Sequence, residues 1–298
     1  MKKKTFLIHE FNFGIRDSMS HPDLVITEQP AIFSRDEVAD LWIPSPLAAG
    51  PFAGLQGGSF AGLMTVEVEV AGHRAGWGQA MSATAKFLRP TPLVPLRSQV
   101  TVLSAGGRVW VIDSTIWPQG ATEPSATVRV TFVRPRSIEI PGFMPPEQPV
   151  ADPLLYPRTE RRAPHGGPWF MVAMEVRMAP DITWFRLKAK IASGAGALAQ
   201  VLGPADWTHG LGRPVNGVVA DPNANLTVQL LRPPVGEWIG IKPLVRWDAQ
   251  TALWIGSGVL LDVLGDIGVV SMAVALTPFP KIATVVSVPL TETSAPPK

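Results

Sequence analysis

The chain has 298 residues, 46% hydrophobic and 17% charged, which excludes a disordered protein and leaves room for two compact units. A formal net charge of +2 with scattered Lys and Arg gives no nucleic-acid surface, despite a pI near 9.0, and no polynucleotide partner is expected. There is no cysteine, so disulfides and thiolate metal sites are excluded and the cytoplasm is the expected location.

Lys2 to Lys4 followed by Thr5-Phe6-Leu7-Ile8 imitates a signal peptide, but His9 and Glu10 end the apolar run short of the roughly 7 to 15 residues that one needs. Residues 1–29 are therefore read as an extension. Gly57-Gly58-Ser59 resembles an N-cap and opens a predicted helix from Phe60 to about His73. β-branched runs at 82–87, 98–103, 109–116 and 126–133 follow and predict an antiparallel meander. Gly106-Gly107-Arg108 reads as the turn of a hairpin. Nine prolines between Arg134 and Pro168 mark a crossover, with the linker placed at 136–165.

The second half repeats the plan. Ala195 to His209 reads as a helix kinked or broken at Pro204, and 226–231, 238–241, 253–261 and 269–276 read as strands. The most apolar stretch, Gly256 to Leu276, carries Asp262 and Asp266, so no membrane span is expected. Phe87-Leu-Arg-Pro90 is echoed by Leu230-Leu-Arg-Pro233 at an offset of 143, which also sets Thr84 against Thr227. A duplicated unit follows, with one copy at 30–135, the other at 166–281 and a tail at 282–298.

Leu55-Gln-Gly-Gly-Ser59, Phe87-Leu-Arg-Pro-Thr-Pro92 and Gly107-Arg108 resemble the first repeat of the double-hotdog acyl-CoA thioesterase-like superfamily. Ala205-Asp-Trp-Thr-His-Gly210, the run from Asp221 to Trp238, and Asp262 with Gly265 and Gly268 resemble the second. The resemblance implies an α+β double hotdog: two tandem units, each a central helix wrapped by an antiparallel sheet, with an acyl-thioester pocket between them. It further implies a water-positioning set of Asp, Thr or Ser, and Gln, together with helix-start N–H groups that polarise the thioester carbonyl. Here the Asp position falls on Asn225, which cannot act as a carboxylate base. The Thr/Ser position falls near Val245 or Arg246, and the Gln position at Met272 or Ala273.

The candidate catalytic residues are therefore Asn225, as a hydrogen-bonding holder of water or carbonyl, and Gly58 and Ser59, as donors at the helix start. The candidate substrate contacts are Gly57, Thr227 on the same strand face as Asn225, Asp206, His209 and Met272. Asp206 and His209, spaced i, i+3, would let a carboxylate orient an imidazole, although Asp-Trp-Thr-His-Gly also reads as a helix end. Gly57 to Ser59 equally read as a cap, and Asn225 and Thr227 as ordinary strand residues. His9, His21, His73 and His165 have no ligand spacing, so no metal is expected, nor any cofactor. The expected partner is an acyl thioester on CoA or a carrier protein, with a homo-oligomer left open. The expected activity is thioester hydrolysis with the usual Asp/Thr/Gln set replaced. The alternatives are altered hotdog chemistry (dehydratase, lyase, cyclase or acyl transfer) and non-catalytic acyl or CoA binding.

Overall fold

The computed structural model describes residues 31–51, 54–142, 144, 151–159, 168–211, 219–244, 246–248 and 250–278. The extension 1–29, the tail 282–298, and His9, His21, His165 and Val245 lie outside the described residues. The first half holds strands β1 (Phe33–Asp36) and β2 (Leu41–Pro44), helix α1 (Gly57–Ala75), and strands β3 (Gln79–Phe87), β4 (Leu96–Ala105), β5 (Val109–Pro118) and β6 (Ala126–Val133). The second half holds β7 (Arg158–Thr159), β8 (Met174–Met178), β9 (Thr183–Leu187), helices α2 (Ala197–Ala205) and α3 (Thr208–Leu211), and β10 (Val219–Ala220). It continues with β11 (Asn225–Leu230), β12 (Trp238–Pro243), β13 (Arg246–Asp248), β14 (Leu253–Asp262), β15 (Gly265–Ala275) and β16 (Thr277–Pro278).

Among the described residues, fourteen strands form one antiparallel sheet in the order β1-β2-β4-β5-β6-β3-β11-β15-β14-β12-β9-β8-β7, with β13 beside β14. The order reads the same from either end of the β3–β11 seam: β6 matches β15, β5 matches β14, β4 matches β12, and the β1–β2 hairpin matches β8–β9. At the seam Thr84 pairs with Thr227, Lys86 with Asn225 and Ser82 with Gln229. Residues related by the 143-residue offset thus meet across a local two-fold axis. The hydroxyls of Thr84 and Thr227 lie 3.4 Å apart on that axis.

The expected meander holds for β4, β5 and β6, but β3 pairs with β6 rather than β4. The physical reason is the connection after β3, where Pro90 and Pro92 lack the N–H that a tight hairpin ladder requires and carry the chain away. The hairpin after Gly106 is present, with the Gly106 N–H donating to Val109 O at 2.9 Å. The short outer hairpins β1–β2 and β8–β9 were not predicted. Residues 153–159, within the predicted linker, form a 3-10 turn and then β7, which pairs with β8.

Helix α1 lies in the concavity of the sheet, and its residues from Gly58 to Val66 are buried without a polar face. Such all-round burial belongs to an enclosed helix, not to an amphipathic one on the surface. Phe60, Leu63, Met64, Val66 and Val68 are nearly inaccessible to solvent, and each buried side chain of this size contributes about 1.5–3 kcal/mol. The helix ends at Gly76, whose φ of 67° supplies the left-handed C-cap.

Helix α2 runs antiparallel against α1 and approaches it closely. A Cβ on Gly58 would stand 2.5 Å from Gly203 O, and one on Gly62 would stand 2.8 Å from Ala199 O. Glycine spaced four residues apart on α1 is what allows this contact. The predicted break at Pro204 is displaced: α2 continues through Pro204 to Ala205, and only then does the chain turn at Asp206 and Trp207 before α3. Proline in the last turn removes one intrahelical donor, and the helix stops one residue later. No helix among the described residues is long and apolar enough to cross a membrane.

Candidate functional site

The N-terminus of α1 is built differently from the predicted cap. Gln56, not the Gly-Gly-Ser run, is the N-cap, and its Oε1 accepts the Ser59 N–H at 2.8 Å. Gly57, Gly58 and Ser59 form the first turn. Ser59 is fully buried, and its hydroxyl donates to Gln56 O at 2.9 Å, which leaves it a helix-start brace. A side-chain amide can cap as an Asn does, and Gln56 has a second task that explains the choice.

That task is to hold Asp206. Gln56 Nε2 donates to Asp206 Oδ2 at 2.6 Å, and Asn223 Nδ2 donates to Asp206 Oδ1 at 2.8 Å. The carboxylate stands directly over the Gly57–Gly58 turn, since a Cβ on Gly57 would lie 3.0 Å from Oδ2. Burial pushes the Asp206 carboxyl up from its ordinary value, and nearby Asp221 adds to this; the His209 charge, Asn223 and the Gly58 N–H pull the other way without cancelling it. Asp206 ends α2 in the second half and Gln56 begins α1 in the first, so this buried carboxylate joins the two halves.

The predicted pairing of Asp206 with His209 is not made. His209 Nδ1 lies 2.8 Å from Asp221 Oδ2, at the end of β10, while Asp206 faces α1. The cause is the turn at Trp207: α2 ends before α3 begins, so the i, i+3 positions no longer share a continuous helix face. His209 rests over the β14–β15 hairpin. A Cβ on Gly256 would lie 3.2 Å from His209 Cα and 3.0 Å from Met272 Cγ, so glycine there makes room for α3. The imidazole therefore belongs to the same corner as Met272, which is buried and pairs with Gly256.

Strand β11 alternates as the pleat requires. Leu226, Val228 and Leu230 are buried in the core, and Asn225 and Thr227 are half-buried on the opposite face. The Oδ1 of Asn225 accepts the Ala273 N–H of β15 at 2.9 Å, which ties the amide to the neighbouring strand. Asn223, two residues earlier, is the side chain that reaches Asp206, and it also donates to Asn225 O at 3.1 Å. Thr227 lies at the two-fold seam. Arg246 is exposed on β13.

The structure thus gathers Gly57, Gly58, Ser59 and Asp206 at the start of α1, brings His209 and Met272 together at the β14–β15 hairpin, and leaves the Asn225 and Thr227 side chains on the other face of β11. Sequence reasoning missed Gln56, Asp221 and Asn223. Each stands in a quoted motif, and the usable signal was a polar residue immediately before a glycine turn or a strand. Among the described residues no cluster of three or more His, Cys, Asp or Glu could hold a metal ion.

The other helix start is closed by the same device. Glu69 of α1 accepts the N–H groups of Gly196, Leu198 and Ala199 at 3.0–3.1 Å, capping α2 from the opposite half. Burial raises the Glu69 carboxyl, against the lowering effect of the three N–H groups. Each central helix therefore meets a carboxylate contributed by the other half, which satisfies N-terminal donors that helix geometry leaves unpaired.

No protein-family model matches the sequence, and no curated protein matches it. Solved structures do match. A candidate thioesterase from Novosphingobium aromaticivorans superposes with a TM-score of 0.62 at 18% identity, over 83% of this chain and 98% of that one. A protein of unknown function with a hot dog fold from Alicyclobacillus acidocaldarius gives 0.60 at 16%, over 84% and 96%. An acyl-CoA thioesterase II from Mycobacterium marinum gives 0.53 at 14%, over 83% and 94%. These likenesses show the fold: this chain is a hotdog fold present twice in one sheet.

Proposed function

We propose that the protein binds and hydrolyses an acyl thioester, carried on coenzyme A or on a carrier protein, at the corner where the start of α1 meets α3 and the β14–β15 hairpin. The observation that carries this reading is the polar cluster of buried Gln56 and Asp206 with half-buried Asn223, which joins the two halves of the fold beside a helix N-terminus. A protein core of this apolarity would not retain such groups without their partners, and the cluster stands next to a second polar pair, His209 and Asp221. A perturbed carboxyl and convergent polar groups beside a helix start are what an acyl-transfer site requires: donors for a developing oxyanion and a group that takes a proton from water.

A second reading, binding without turnover, draws on one specific observation. The Ser59 N–H is spent on Gln56, and the Gly58 N–H acts on Asp206, so the helix-start donors already serve the protein's own groups. One experiment separates the two. The purified full chain is incubated with acyl-CoAs from acetyl to palmitoyl, with free thiol and new acyl products followed by mass spectrometry. Thiol release supports hydrolysis, a product of altered mass without thiol release supports changed hotdog chemistry, and retention of intact acyl-CoA supports a binding protein.

A further inference from the structure

We infer that His209, oriented by Asp221, is the general base of this site and takes the role that Asn225 cannot fill. The inference rests on the hydrolytic reading above and names the group that makes it work. His209 Nδ1 meets Asp221 Oδ2 at 2.8 Å, and an acceptor-only carboxylate fixes the proton on Nδ1, which leaves Nε2 with its lone pair. The Asp221 side chain is only 3% exposed and that of His209 is 12% exposed, so the orienting group is sealed while part of the His209 side chain stays open. His209 sits over Gly256 and Met272, and Met272 is one of the two strand positions, with Ala273, at which the sequence resemblance expects a polar side chain. The imidazole brings nitrogen chemistry back to that corner from another element.

The groups facing the imidazole are Asp221 from the segment before β11 and Asp206 from the end of α2; β14 and β15 present the uncharged Gly256 and Met272. In the step, Nε2 accepts a proton from water as the water oxygen bonds to the thioester carbonyl carbon. The resulting imidazolium is held by Asp221 and by the more distant Asp206. Collapse of the tetrahedral intermediate breaks the carbon–sulfur bond, and the leaving thiolate takes the proton back from Nε2. The products are a carboxylic acid and a free thiol, and the histidine is neutral again.

The test compares thiol release from acyl-CoA by wild type, His209→Gln and Asp221→Asn between pH 5 and pH 9. For the wild type, kcat should fall on acidification, as for any step that needs an unprotonated base. His209→Gln should lose about 10²- to 10⁴-fold in kcat with little change in KM, and should lose the acid limb. Asp221→Asn removes the orienting carboxylate but keeps its size; it should lower kcat at least tenfold and displace the acid limb, which a purely structural role would not do. If His209→Gln does not fold, the Asp221→Asn profile alone decides. A wild type that hydrolyses acyl-CoA while both variants keep its rate and acid limb overturns the inference and leaves the hydrolase standing. A wild type that releases no thiol from any acyl-CoA or acyl-carrier substrate overturns both.

Discussion

Gly58→Ala adds a single methyl group at the closest approach of the two central helices. The new Cβ would stand 2.5 Å from Gly203 O, 2.6 Å from Asp206 Cβ and 2.9 Å from Leu202 O, where ordinary contact begins at 3.4 Å, a shortfall of 0.9 Å at the tightest point. Two of these atoms are backbone and the third is the root of a side chain held at both oxygens, so no rotamer change relieves the clash. Helix propensity favours alanine over glycine by about 1 kcal/mol, and overpacking costs about 1–3 kcal/mol. Two fixed backbone atoms put this contact at the upper end of that cost, so the clash outweighs the propensity and a net loss of about 2 kcal/mol is expected. For a chain of this size that lowers Tm by roughly 2–8 °C. Moving α2 outward also draws Asp206 from Gln56, so thiol release should fall with stability. Urea unfolding and calorimetry read the first effect, and the acyl-CoA assay reads the second. A Gly58→Ala protein as stable as wild type would refute the close helix contact and with it the geometry of the cluster.

Glu69→Ala leaves the N–H groups of Gly196, Leu198 and Ala199 without their acceptor and should cost about 3 kcal/mol in urea unfolding, whereas Glu69→Gln, which keeps one oxygen, should cost less. Burial alone would raise the Asp262 carboxyl, but Arg232 and the N–H groups of Val235 and Leu264 outweigh it and hold it below its ordinary value of 3.8. A depressed carboxyl stabilises above its unfolded-state value and loses that contribution as pH falls through the folded-state value. Asp262→Ala should therefore cost about 3–5 kcal/mol at pH 7, by analogy with other broken buried ion pairs, and the gap to wild type should narrow by pH 3. Asn225→Asp keeps an acceptor for the Ala273 N–H and adds its carboxylate on the face of β11 turned away from the core, so thiol release should stay near the wild-type rate. Abolition of an activity that the native protein has would instead mark Asn225 as a working residue.

Most of the sheet was legible because its central strands are long and dense in β-branched residues, and the 143-residue echo revealed the symmetry of the β3–β11 seam. The hairpins β1–β2 and β8–β9 were not legible: they have only four or five residues each, and at the sheet margins tertiary contacts decide the conformation more than propensity does. The glycines at the start of α1 were visible, but their reason was not. Gly58 and Gly62 admit α2, a constraint from a helix more than a hundred residues away. The Asp206–His209 spacing was legible, and its pairing failed because a two-residue turn between α2 and α3 hands each residue a different partner, Gln56 for one and Asp221 for the other. Long-range polar contacts of this kind leave no periodic trace in sequence.

On the proposed function an acyl thioester is held at the corner between the start of α1, α3 and the β14–β15 hairpin. A crystal structure of the full chain with a non-hydrolysable thioether analogue of an acyl-CoA tests it most directly. The acyl carbonyl should lie beside Gly57 and Asn223, with His209 Nε2 within reach of a water on the carbonyl carbon. An analogue bound on the opposite face of β11 over Thr227, or one that does not bind at saturating concentration, would contradict it.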